Sequence, residues 1–306
     1  MADGQKTPSS DEQVRLILWG TPRTVSTALS KCLSFVDDSL MIMAPYINAY
    51  IFGPENALIK EPDRRFEELL DAVKKESAEL SSSHSIVEGF DSSKCTYKWV
   101  QEQLEAPHSG KKFIFCRDFA FAITDFEQFL PKGYRHAFLI RHPLKVFLSW
   151  KKMYQPALKM PLDEFQIDEL HNILLPKGRG FKEMSDLIDH LKEAHNEEAI
   201  VIDSDDLLRD PKGILSALFK AIGLPFDEKL LTWDAGDTIA KQWFVSNVAL
   251  AGNLIGDYFK TALESTCFTK PRALPERSSL SADILRCVDF SMPYYEKMYA
   301  RRLKPL

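Results

Sequence analysis

Residues 15–29 read R-L-I-L-W-G-T-P-R-T-V-S-T-A-L. A short apolar run ends at Gly20, a basic and hydroxyl-rich turn follows, and a segment of helical character begins. Backbone N–H groups at a helix start, flanked by Arg23, Thr24, Ser26 and Thr27, suit a phosphate or sulfate group. The stretch therefore predicts an anionic ligand, a nucleotide phosphate, at the carboxyl edge of a parallel sheet.

Outward from this turn, apolar strand-like runs recur at Leu16–Trp19, Leu40–Met43, Ser85–Glu88, Phe113–Cys116, Ala137–Ile140 and Ala199–Ile202. Helical patterns lie between them: Arg64–Leu80, Lys94–Glu105, Leu144–Met153, Phe181–Ala194 and Lys212–Ile222. Such alternation predicts an α/β fold, a central parallel sheet of about five strands with helices on both faces. Asp210-Pro211 starts the last of these helices, and Gly223 with Pro225 stops it. Residues 234–279 mix glycine, proline and basic residues and read as irregular structure over one end of the sheet. Ser281–Arg302 reads as a final helix with a bend near Pro293. The polar residues 1–13 read as a disordered tail, and no low-complexity linker divides residues 14–306, so one domain is expected.

The 306 residues are 45% hydrophobic and 27% charged, with 20 Phe to build a core. A net charge of −5 argues against nucleic acid as a partner, although a local basic pocket can still take a small anion. The amino terminus has no apolar core of a secretory signal, and no apolar run approaches the roughly 20 residues of a spanning helix. Cys32, Cys95, Cys116, Cys267 and Cys287 are scattered without metal-ligand spacing, which reads as reduced thiols in a cytoplasmic protein.

A nucleoside-triphosphate loop needs G-x-x-x-x-G-K-S/T. Here Gly20-Thr21-Pro22-Arg23-Thr24-Val25-Ser26-Thr27 lacks the second glycine and the lysine, which disfavours ATP or GTP hydrolysis and a small-molecule kinase. One cation and three hydroxyls remain, suited to a single phosphate with a transferable anionic group; a capped helix beside a solvated Arg23 is the alternative. A second strand–turn–helix, Ala137 to Trp150, puts Arg141 at a strand end and Ser149 eight residues on. A guanidinium fork and a hydroxyl fit a phosphate monoester. A surface arginine beside a helix cap would look the same.

Thr21 to Leu29 resembles the phosphosulfate loop of sulfotransferases that use 3′-phosphoadenosine 5′-phosphosulfate (PAPS), and Arg141 with Ser149 resembles their 3′-phosphate pair. Ile200 to Pro211 is similar to a further, architectural segment of that family, with Ser204 where many members carry Tyr. The resemblance covers residues 14–225 and implies one P-loop-type sulfotransferase domain over 14–306. It implies a donor site of Pro22, Arg23, Thr24, Val25, Ser26, Thr27, Arg141 and Ser149, with Lys270 and Arg272 closing over the 3′-phosphate. Val25 departs from the commoner glycine, and Ala28 from an aromatic residue near the adenine.

The implied reaction is in-line sulfuryl transfer from PAPS, leaving the bisphosphate PAP, by positioning and electrostatics without a metal. Arg23 and Arg117 would supply the cations and Asp118 the base, while Phe119 stands at the usual histidine position. Glu88 and His142 are further base candidates. Tyr46 and Phe119, with Tyr50, Phe52, Phe121 and Trp150 nearby, would form an aromatic acceptor surface. The expected acceptor is a small hydroxyl compound, phenol or luciferin-like enol. A protein that binds PAPS or PAP without transfer is the competing expectation.

Overall fold

The strand β1, Val14–Gly20, is apolar on both sides, as a strand covered on two faces must be. Leu16 and Leu18 point into one core, Ile17 and Trp19 into the other. The same alternation divides β3, Phe113–Phe119, and β4, Arg135–Ile140, between the two cores. With β2 (Ser39–Met43), β5 (Ile200–Asp203) and β6 (Phe244–Val245) they form a six-stranded sheet in the order β5-β4-β1-β3-β2-β6. Every pairing in it is parallel. The computed structural model describes residues 13–61, 64, 67, 68, 70, 71, 73–75, 89–158, 160–246, 248 and 258–306.

One face is covered by α1 (Ser26–Leu33), α6 (Ser204–Arg209) and α7 (Pro211–Ile222). Asp210 starts α7 by accepting from the Gly213 amide, and its apolar side, with Leu215, Leu218 and Phe219, packs on the strands. The other face takes α2 (Pro45–Phe52), α3 (Tyr97–Glu105), α4 (Pro143–Leu158), α5 (Phe181–His195) and α9 (Ala282–Ala300). A short α8, Lys260–Glu264, stands beside α1. Chain order reverses about β1: the chain leaves it for β2, and later strands fill in on both sides. Such a reversal opens a crevice at the carboxyl ends of the strands.

The α/β class is as the sequence indicates, with two differences. The sheet has six strands where about five were expected. The added strand, β6, comes from the segment read as irregular; two residues are too short to carry a period-2 signal. Pro293 lies inside α9, which stays one element. The tail expected to be disordered, apart from residue 13, and the strand expected at Ser85–Glu88 lie outside the described residues, as does much of the helix expected at Arg64–Leu80. All five cysteines are free, and four of them are buried.

Candidate active site

The turn after β1 is held in a tight, partly left-handed path. Gly20 lets it pass close to β4: a Cβ there would stand 3.1 Å from Thr24 Oγ1 and 3.5 Å from the Leu139 carbonyl oxygen. Arg23 and Val25 both take positive φ, 71° and 66°. For a β-branched residue this conformation is strained, which is the physical reason a glycine suits position 25. No side chain caps the start of α1, so its first amides are left to face the crevice. Buried groups brace the turn from behind. Thr24 Oγ1 donates to the Thr21 carbonyl at 2.8 Å, and Arg141 Nη1 to the Arg23 carbonyl at 3.0 Å. The Ser204 hydroxyl lies 2.7 Å from the Thr24 carbonyl and 2.8 Å from that of Ile140, so it ties the β1 turn to the β4 turn.

Arg141 follows β4, and α4 begins at Pro143, where His142 Nδ1 accepts from the Leu144 amide. Ser149, two turns into α4, accepts from Arg23 Nε at 2.9 Å. The two basic turns are therefore in direct contact. Lys145, one helical turn before Ser149, is bound to Asp205 and to the Arg272 carbonyl. Arg117 extends from β3 to the start of α1, where its Nε and Nη2 reach Ser26 Oγ at 3.1 and 2.9 Å. Its guanidinium also lies 4.1 Å over the Phe119 ring.

These groups line one cavity of about 1160 Å³. Pro22, Arg23, Val25, Ser26, Thr27, Arg117, Phe119, Arg141, Ser149, Lys270 and Arg272 all border it. So do Lys145 and Lys152, and among its described lining residues there is no Asp or Glu. The cations repel each other and are poorly solvated. Burial, then Arg141, lowers the Arg23 guanidinium from its ordinary value, and burial lowers Arg141 as well. Burial brings Arg117 down to about 10, against the pull of Asp118. Arg141 Nε is buried and makes no hydrogen bond, with Asp205 Oδ1 3.9 Å away as an ion-pair partner. A polyanion entering here would meet preformed, under-compensated donors.

Three sequence-predicted residues are turned away from the cavity. Asp118 is fully buried, and its carboxylate accepts from the amides of Tyr46 (2.6 Å), Ile47 (3.1 Å) and Phe119 (2.8 Å). It caps α2, whose own N-cap residue, Ala44, has no side chain to do so. The assignment of Asp118 as base is thereby corrected: β3 alternates faces, so a cavity-facing Arg117 sends its neighbour to the other side. Tyr46 is also corrected, since it lies wholly in the core with its hydroxyl donating to the Phe129 carbonyl at 2.6 Å. The Thr24 hydroxyl is spent within the turn, as described. His142 serves as the cap of α4, and Glu88 lies outside the described residues.

Lys145, Lys152 and Tyr258 border the cavity without having been singled out from the sequence. Lys145 was findable, being four residues before Ser149 on an amphipathic helix. Tyr258 belongs to a segment of weak pattern, and only tertiary packing brings it near Arg23. Among the described residues, no helix is long and apolar enough to cross a membrane, and no cluster of three His, Cys, Asp or Glu side chains could hold a metal.

Among curated proteins the chain is similar to branched-chain-amino-acid aminotransferase-like protein 1 of Arabidopsis thaliana, 26% identical over 210 residues, 66% of this chain and 31% of that protein. It is also similar to branched-chain-amino-acid aminotransferase-like protein 2 of the same plant, 22% identical over 263 residues, 84% of this chain and 37% of that protein. The chain thus spans about a third of the length of these relatives, 31% and 37%. Among solved structures, the sulfotransferase domain from the Synechococcus PCC 7002 olefin synthase is 16% identical, with a TM-score of 0.46 over 99% of this chain and 100% of that one. The sulfotransferase domain from the curacin biosynthetic pathway is 17% identical, with a TM-score of 0.45 over 92% and 98%. A family model described as sulfotransferase domain matches residues 190–302, from the end of α5 through α9. Over that stretch the chain is similar to the sulfotransferase domain.

Proposed function

We propose that this chain transfers a sulfuryl group from PAPS to the hydroxyl of a small, flat acceptor. One observation carries the reading: two separate strand-end turns, each with an arginine, meet in a single basic cavity through the Arg23–Ser149 hydrogen bond. A ligand with anionic groups at both ends of a nucleoside matches that spacing of donors, and Arg141 Nε, which makes no hydrogen bond, fits a phosphate oxygen. In this reading Arg141, Ser149 and Lys145 hold the 3′-phosphate, with Lys270 and Arg272 above it. The α1 amides, with Arg23, Ser26 and Thr27, hold the phosphosulfate end, and Pro22 and Val25 shape that turn. Arg23 and Arg117 offset charge that develops on the transferring oxygens. PAPS supplies the activated sulfuryl group; the protein supplies alignment and fixed positive charge.

The cavity exceeds what one nucleotide fills, since pockets for a single drug-sized ligand run to about 300–1,000 Å³. Its remaining wall is apolar, with Phe119, Phe121, Ile47 and Ile51, which favours an aromatic acceptor, a phenol or luciferin-like enol. Residues 14–306 would act as one cytoplasmic domain that needs neither metal, membrane nor nucleic acid. A second reading, a PAP-binding protein without transfer, draws on the burial of Asp118 away from the cavity. Calorimetric titration with PAP, followed by radiolabelled sulfate transfer from PAPS to a panel of phenols, tests both. Binding with transfer supports the enzyme, binding alone the second reading, and failure to bind PAP defeats the two together.

A further inference from the structure

Three carboxylates crowd the junction of β5 and α6, and two of them are occupied. Asp203 caps α6 by accepting from the amides of Asp205 (3.0 Å) and Asp206 (3.1 Å), and it accepts from the Tyr295 hydroxyl at 3.1 Å. Asp206 is paired with Arg209 at 2.6 Å and with Arg302 at 2.7 Å. Asp205 remains, and it stands against the cations of the second basic turn. Its Oδ2 accepts from Lys145 Nζ, and its Oδ1 lies 3.9 Å from Arg141 Nε. That distance is too long for a hydrogen bond, and both atoms are buried without one. Arg141 is held toward the β1 turn instead, its Nη1 donating to the Arg23 carbonyl at 3.0 Å. Burial lowers the Arg141 guanidinium, and Asp205 is the foremost charge opposing that. Arg141 and Lys145 border the cavity, whereas Asp205 does not. The carboxylate therefore offsets the charge of both cations from outside the cavity and takes no hydrogen bond from Arg141.

We propose that Asp205 is a built-in counter-ion that stabilises the empty subsite and weakens its hold on a phosphate monoester, so that the used nucleotide can leave. The inference rests on the reading that Arg141, Ser149 and Lys145 hold the 3′-phosphate, and it adds the residue that limits the affinity there. Without Asp205, Arg141 and Lys145 would face each other as unbalanced charges in a water-poor wall. With it, an arriving phosphate meets cations that are already part-neutralised and is itself repelled by the carboxylate. Donor and product carry the same 3′-phosphate, so a stronger grip would hold both alike. Such a grip lowers KM, does nothing for the chemical step and delays product release. A purely positioning role would have the opposite sign, because loosening Lys145 would weaken the phosphate contact.

Asp205→Asn tests this, since it removes the charge and keeps an oxygen that can accept from Lys145. The empty variant is expected to melt below the wild type. By calorimetry it should bind PAP tighter by about fivefold or more, and stopped-flow displacement should show release slowed by a similar factor. Adenosine 5′-monophosphate, which lacks the 3′-phosphate, should bind the two proteins within about twofold of each other, because it makes no contact with this subsite. Unchanged or weaker PAP binding, or equal tightening for the monophosphate, overturns the inference. Asp205→Ala is the second variant, with the same direction expected; failure of both to fold would make the carboxylate part of the scaffold and overturn the inference as well. Inorganic phosphate is titrated in parallel and read as a rise in melting temperature, with the greater rise expected for the variant. If PAP does not bind the wild type, that failure falls on the nucleotide reading, and the comparison with inorganic phosphate decides. An equal or smaller rise in the variant, or none in either protein, overturns the inference.

Discussion

Replacing Asp118 by alanine removes the shared acceptor of three backbone amides, two of them at the start of α2. The Tyr46 amide would stay buried, and the Ile47 amide partly so, at the β3–α2 junction without the carboxylate that now accepts from both. A buried donor left without an acceptor costs about 1–3 kcal/mol. Removing the carboxylate also relieves its own desolvation, so the net loss is expected at about 2–4 kcal/mol, below the simple sum for two amides. For a chain of this size that lowers the melting temperature by about 4–8 °C. Asp118→Asn keeps one acceptor oxygen and should lose less. Urea unfolding gives the stability of each variant, and PAP titration shows whether the cavity survives. A general base, by contrast, contributes about 10²–10⁴ in rate with little bearing on stability. If Asp118→Ala matched the wild type in stability while turnover fell by that factor, the capping role assigned to Asp118 would be wrong. The pH dependence adds a second readout. Burial pushes the Asp118 carboxyl up to about 7 from an ordinary 3.8, against the pull of the Phe119 and Tyr46 amides and of Arg117. A raised carboxyl favours the folded state while protonated. Wild-type stability, measured against Asp118→Asn, should be greatest below about pH 4 and decline as pH rises through about 7.

Arg141→Ala should weaken PAP binding about tenfold or more, as loss of a charge-assisted phosphate contact does, and unchanged affinity by calorimetry would remove that residue from the site. Val25→Gly relieves left-handed strain of about 1–3 kcal/mol while adding backbone freedom to the unfolded chain, so its stability should fall within about 1 kcal/mol of wild type. A loss well above that in thermal unfolding would contradict the strain at this position. Burial raises the Asp283 carboxyl, but hydrogen bonds from Lys151, Ser281 and the Ile167 amide outweigh it and hold the group at about 2, below an ordinary 3.8. That contribution is present above about pH 4 and lost as pH falls through about 2. Lys151→Met, which strands this buried carboxylate, should cost about 3–5 kcal/mol at neutral pH and progressively less in acid, as acid-series unfolding would measure.

Local chemistry made the class of fold and the two turns legible. The apolar runs of β1, β3 and β4 are too continuous for a half-exposed strand, and Gly20 to Thr27 is visibly a turn entering a helix. Arg141 and Ser149 were findable because helical spacing relates a strand end to the face of the next helix. Position 25 is instructive: its departure from glycine stands in the sequence, but the strain it causes is visible only in a φ of 66°. What the chain alone left undecided concerns facing and distance. Arg117 and Asp118 are adjacent and both charged, so either could have pointed into the cavity. The register of β3 against β1 and β2 gave the cavity to the arginine and assigned the carboxylate to an uncapped helix 71 and 72 positions away in sequence. Likewise, nothing local joins Arg23 to Ser149, 126 positions apart, or brings the segment after β6 over the basic turns. Residue type and periodicity are properties of short stretches, whereas the direction of a side chain at a strand end, and what stands opposite it, follow from how distant strands align and pack.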